Sequence, residues 1–236
     1  VNSKIYFLSD QKKQPNLGDA KFLISKKKNE NIKFKGNFSN RGNKINSDQI
    51  KEIINIDNKL IPSQDLQFDS NNSIEFEFNK KNKIEKYKLN SNLKISKLEI
   101  SHNDSNLKRF LPEYKDIIIF KDNLIEINLN KKIKDIKLKG LYSLNNNLSD
   151  SYKIDLIQNS ETLDFDANIN LNNLFLNFKS LDYKKNKKIN SNLIIKGRYK
   201  DDLKFNQIEY KENLNTIQAS NIILSKKYKI KNIDSI

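Results

Sequence analysis

The chain has 236 residues and no Cys, which excludes disulfides, zinc–thiolate centres and thiol catalysis. Its formal net charge is +15, yet only three of its 44 basic residues are Arg (Arg41, Arg109 and Arg198). Base readout and bidentate phosphate contacts favour Arg, so no specific nucleic-acid partner is expected.

Ile5 and Phe7 open a first strand, and a loop containing Pro15 follows over 11–18. Ala20, Phe22 and Ile24 alternate with polar residues as far as Lys26-Lys27-Lys28-Asn29, and Ile32, Phe34, Gly36 and Phe38 alternate again. Period-2 alternation is the mark of a strand with one face buried. Residues 47–56 differ. Ile50, Ile53 and Ile54 have helical spacing and Ser47 or Asp48 can cap, so a short helix is expected.

Ile74, Phe76 and Phe78 alternate with Glu75 and Glu77, and Lys80-Lys81-Asn82-Lys83 turns the chain. Tyr87, Leu89, Leu93 and Ile95 follow, then Leu98 and Ile100. Leu107, Phe110 and Leu111 suggest a helical turn over 105–111, ended by Pro112. The longest apolar run, Ile117-Ile118-Ile119-Phe120, is far short of the ~20 residues that a membrane helix needs. Strands resume with Ile125/Ile127/Leu129, Ile136/Leu138/Tyr142, Tyr152/Ile154/Leu156, Leu163/Phe165/Ala167/Ile169/Leu171 and the stretch 175–178.

The last fifty residues show the pattern most plainly. Leu193, Ile195 and Tyr199 fall on one side of an extended chain, with Lys196 and Arg198 on the other. Leu203 and Phe205, Ile217 and Ala219, and Tyr228 and Ile230 repeat this between short polar breaks. Such runs read as an antiparallel meander, mainly all-β, with one or two short helices. The expected organisation is one fragment of a larger β-protein over 1–236. The helical piece at 101–112 is the place where it would divide into 1–100 and 113–236.

One pattern recurs: Ile32-Lys-Phe-Lys-Gly36-Asn-Phe38, Ile136-Lys-Leu-Lys-Gly140-Leu-Tyr142 and Leu193-Ile-Ile-Lys-Gly197-Arg-Tyr199. Gly on the apolar face of a strand permits bending and leaves room for a ring. The alternative is a recurrent strand in a biased composition.

Candidates for chemistry are few. His102, the only histidine, lies near Glu99 and Asp104, and one His cannot alone build a His-based metal site. Glu75/Glu77 and Asp164/Asp166 each place two carboxylates on one strand face, where a solvated face is the simpler reading. There is no phosphate loop, no dinucleotide fingerprint and no nucleophile elbow. An enzyme is not expected, and no cofactor or metal.

The runs Leu193-x-Ile195-x-Gly197-x-Tyr199, Leu203-x-Phe205, Ile217-x-Ala219 and Tyr228-x-Ile230 resemble the AsmA-like family of Gram-negative bacteria, in its YhdP and TamB type. Leu111-Pro112 followed by Leu124, Ile125 and the strand of Ile136 and Tyr142 has the same look, and the resemblance covers about residues 85–236. It implies a long sheet curled into an open groove with an apolar interior. The groove would carry phospholipid acyl chains across the periplasm between inner and outer membranes, in support of outer-membrane assembly. The full-length protein would be anchored in the inner membrane. The resemblance makes Leu163, Phe165, Ile169, Leu193, Ile195, Tyr199, Leu203, Phe205, Ile217, Ala219, Tyr228 and Ile230 the groove lining.

The groove is physically coherent. A sheet with one apolar face must cover it with another element or with a ligand, and this sequence offers only two short helices. The alternatives are a sandwich with a dry core, as in an adhesin-like structural repeat, and a β-jelly-roll lipopolysaccharide carrier.

Overall fold

The computed structural model describes residues 2–6, 16–26, 31–46, 65–81, 83–101, 105–144, 148–226 and 229–235. The helix expected over 47–56 lies outside them, as do His102 and Tyr228.

Strand follows strand. The N-terminal half holds β1 (Asn2–Tyr6), β2 (Asn16–Ser25), β3 (Ile32–Ile45), β4 (Leu66–Phe78) and β5 (Ile84–Ser101). Helix α1 (Ser105–Phe110) leads to β6 (Ile117–Asn130), β7 (Lys134–Leu144), β8 (Asp150–Gln158) and β9 (Leu163–Asn170). A small hairpin of β10 (Leu176–Phe178) and β11 (Tyr183–Lys185) comes next. The chain then runs through β12 (Ser191–Tyr199), β13 (Leu203–Glu212), β14 (Asn215–Leu224) and β15 (Ile230–Asn232).

Thirteen of these strands form one antiparallel sheet in the order β1-β2-β3-β4-β5-β6-β7-β8-β9-β12-β13-β14-β15, with β10 and β11 paired separately. The sheet is mostly a meander, as the alternation predicts, and it does not close: β1 and β15 are its two edges. Pairing is continuous through β5 and β6, from Lys88↔Asn130 to Ser101↔Ile117.

The register explains the sequence pattern. Residues opposite one another on neighbouring strands share a face. One row runs Leu93, Ile125, Leu138, Ile154, Ala167, Ile195, Ile208 and Ala219, crossing eight strands without a polar side chain. At about 4.8 Å per strand that row is roughly 34 Å long. The other face carries the charges. Lys35–Glu75 (2.9 Å), Lys86–Glu77 (3.5 Å), Lys196–Asp166 (3.2 Å) and Arg198–Asp164 (2.5 Å) join neighbouring strands there. The paired carboxylates of the sequence are thus taken up by cross-strand cations.

The recurrent glycines have a common physical reason. Each lies on the apolar face under a side chain from the next strand: Phe22 over Gly36, Asn123 over Gly140 and Phe165 over Gly197. The covering group therefore comes from a neighbouring strand and not from the aromatic two residues on. At Gly197 an added methyl would also run into the Lys204 carbonyl, because β12 and β13 slip register between Lys196 and Gly197. A backbone oxygen in a bulge cannot step aside. Gly197→Ala is expected to destabilise the chain by about 1–3 kcal/mol. Gly36→Ala, which meets only side chains, should cost less. Urea unfolding of the two variants checks the order.

Two insertions, both at the same end of the strands, cover part of the sheet. Residues 105–116, between β5 and β6, and 171–190, between β9 and β12, fold over the apolar face. Tyr114, Leu174 and Leu176 are buried there with Tyr142 and Leu144. Phe110 stacks on Phe178 at 5.1 Å and Phe120 meets Tyr152 edge-on at 5.5 Å. Helix α1 bears out the helical turn expected near 105–111; Lys108 and Arg109 sit in its last turn, where the helix dipole favours cations. Elsewhere, among the described residues, the face stays half-open.

Candidate functional site: a capped apolar face

The expected lining residues that are described, all but Tyr228, fall on one face, in rows. Leu163, Tyr199 and Leu203 are mutually opposite, as are Phe165, Gly197 and Phe205. Ile169, Leu193, Tyr210 and Ile217 form a third row, and Ile195 lies between Ala167 and Ile208, with Ala219 beyond. Phe165 and Phe205 touch edge-to-face across Gly197 at 5.9 Å. Ile230 pairs with Leu224 at the edge of the sheet and is largely exposed. The face continues beyond these residues into β2–β8, which the resemblance had left out for β2–β4: Phe22, Phe34 and Phe76 form a chain of rings 5.2 and 6.0 Å apart.

Beneath the cap the face becomes a cavity of about 560 Å³, lined by Phe110, Leu111, Leu171, Leu174, Leu176, Phe178, Leu181, Tyr183, Leu193, Tyr210 and Ile217. Its walls are almost all carbon. Only Leu193 and Ile217 among them belong to the expected lining.

Polar side chains hold the cap in place. Lys185 is fully buried, and its Nζ donates to the carbonyls of Leu171 (2.6 Å), Leu174 (2.8 Å), Asn186 (3.2 Å) and Asn172 (3.3 Å). Burial pulls its pKa below the ordinary lysine value, against the attraction of Asp150 and Glu212. Asp150, at the start of β8, accepts from the Asn173 amide at 2.8 Å and from its Nδ2 at 3.1 Å. Burial raises its carboxyl above the usual range, and the Asn173 bonds and Lys185 oppose that rise. The Tyr183 and Tyr210 hydroxyls lie 2.8 Å apart and both lie against the Glu212 carboxylate; with one O–H each, one phenol donates to the carboxylate and the other to its partner phenol or to the same carboxylate. Burial pushes both phenols upward, so they stay protonated at neutral pH.

The apolar face carries a polar island. Asn40, Ser70, Asn72 and Ser91 sit on it, at β3–β5. They satisfy one another and the backbone: Asn40 Nδ2 donates to the Phe68 carbonyl, Asn72 Nδ2 to the Phe38 carbonyl and to Ser70 Oγ, and Ser91 Oγ to Asn72 Oδ1. Neither this island nor the Lys185 anchor was visible in the sequence. The only sign was the loss of alternation over 69–73.

Among the described residues no group of three or more His, Cys, Asp or Glu is placed to hold a metal, and no helix is long and apolar enough to cross a membrane. No protein-family model, curated protein or solved structure matches the chain.

Proposed function

We propose that the apolar face is a groove for the acyl chains of phospholipids. In this reading the chain is one segment of a periplasmic bridge, anchored in the inner membrane, along which lipid moves to the outer membrane. One observation supports it above the others: an unbroken apolar row across eight strands, on a sheet that does not close and that, among the described residues, has no second layer beyond its cap. Leaving that much apolar surface to water costs about 25 cal/mol per Å², and acyl chains lying along it would remove the cost. A dry sandwich would need a second sheet facing this one, and among the described residues only α1 and the β10–β11 hairpin lie over it. The resemblance to AsmA-like proteins points the same way. Transport by a groove requires shape and apolarity, with no catalytic residue, cofactor or nucleic acid.

Native mass spectrometry of the chain purified from a lipid-containing host tests the reading. Phospholipid adducts that vanish on unfolding are expected. A folded chain that carries no lipid, and takes none from vesicles, would overturn it.

A further inference from the structure

The end of the sheet opposite the cap is built differently. There β5 runs past β6: Lys88 pairs with the last residue of β6, Asn130, so residues 84–87 of β5 reach about 13 Å beyond β6, with β4 and β3 alongside. This projecting tip combines two features. Ile24 and Ile84 are 68% and 52% exposed on or beside the apolar face, and Phe76 and Phe78 stand between them, 6.2 Å apart. The β4–β5 turn around the same residues carries Lys80, Lys81 and Lys83, all exposed. These three have no ion-pair partner among the described residues; of the described carboxylates nearby, Glu77 pairs with Lys86 and accepts from Asn31, and Glu85 accepts from Asn31.

Exposed aliphatic and half-buried aromatic side chains framed by exposed lysines fit one environment. The rings and branched chains enter the boundary between acyl chains and headgroups, and the ammonium groups stay among phosphates. We infer that the β4–β5 tip docks on a bilayer bearing anionic lipid. The attraction is about 1 kcal/mol per lysine near such a surface, roughly a fivefold gain in affinity each. Docking there would set one rim of the apolar face against the membrane. It does not depend on what lies along the rest of that face.

The test uses the full chain and vesicles of phosphatidylcholine with or without phosphatidylglycerol. The chain has no Trp, so Ile84→Trp introduces a single reporter at the tip, and Leu214→Trp a control at the opposite end, where Leu214 is fully exposed. Binding to the anionic vesicles that weakens with salt is expected. The emission of the Ile84→Trp chain should shift to the blue on binding, and that of the Leu214→Trp chain should not. The triple variant K80Q/K81Q/K83Q, three solvent-exposed changes that leave the fold intact, should bind at least tenfold more weakly. Equal binding to neutral vesicles, equal shifts at both positions, or unchanged binding by the triple variant would each overturn the inference. Lost vesicle binding with phospholipid still co-purifying would remove the tip and leave the groove standing.

Discussion

Replacing Lys185 by methionine is expected to release the cap, with a loss of about 3 kcal/mol or more in the stability of that region. Methionine nearly conserves the volume, so packing is not what is lost. The loss is in hydrogen bonding. Two short bonds, to Leu171 and Leu174, and two longer ones, to Asn172 and Asn186, end on one ammonium. Without it the buried Leu174 carbonyl has lost its ammonium donor, the Leu171 carbonyl keeps only the Leu174 amide at 3.2 Å, and those of Asn172 and Asn186 lose a weaker bond, at about 1–3 kcal/mol for each one left unsatisfied. Leu174 and Leu176 ride on the same segment, so their seat against Tyr142 and Leu144 loosens with it. Hydrogen exchange is the measurement. Amides of 171–190 should lose protection, and those of β3–β5, far along the sheet, should keep theirs. Uniform loss of protection would show that the cap and the sheet unfold as one unit, and no change would show that the ammonium holds nothing.

The two sides of this molecule differ in how openly the sequence announces them. The sheet is legible because a strand has period 2 and the register preserves it. Once Leu193, Ile195 and Tyr199 are on one side, their partners Tyr210, Ile208 and Leu203 must share that face. The three glycines announce themselves too, since a strand glycine on an apolar face asks what takes its place. What takes it, Phe22, Asn123 or Phe165, depends on neighbouring strands and on bulges, and no local pattern encodes those. The early start of β4 at Leu66 was hidden because Ser70 and Asn72 face inward and break the alternation. The cap was hidden for a different reason. Lys184 and Lys185 are chemically identical in a run of lysines, yet one is exposed and the other fully buried. The difference arises from carbonyls that the loop at 171–174 presents from more than ten residues away, a tertiary fact with no local signal.

Ile195→Asp should separate an open groove from a closed core. Ile195 lies near the far end of the eight-strand row, between Ala167 and Ile208, and it is only half-buried. If the face is open, an aspartate there can reach water in the empty protein, so the fold should survive at a cost of about 1–2 kcal/mol in lost apolar contact. With an acyl chain lying across it, the same carboxylate would have to be desolvated or the chain displaced. Burying an unpaired charge costs far more than that. Lipid occupancy should therefore fall by on the order of tenfold or more, much further than stability falls. Phe205→Asp should act in the same direction and also lose the edge-to-face contact with Phe165. Asn192→Asp is the control. It adds the same charge to the opposite face, opposite Lys211, and should change neither lipid occupancy nor fold. Native mass spectrometry gives the occupancy and urea unfolding the stability. Full unfolding by Ile195→Asp, with no lipid on the unaltered chain, would mean that this row is a dry core. Undiminished lipid on a folded Ile195→Asp chain would mean that the lipid lies elsewhere, and the eight-strand row could then not be the path.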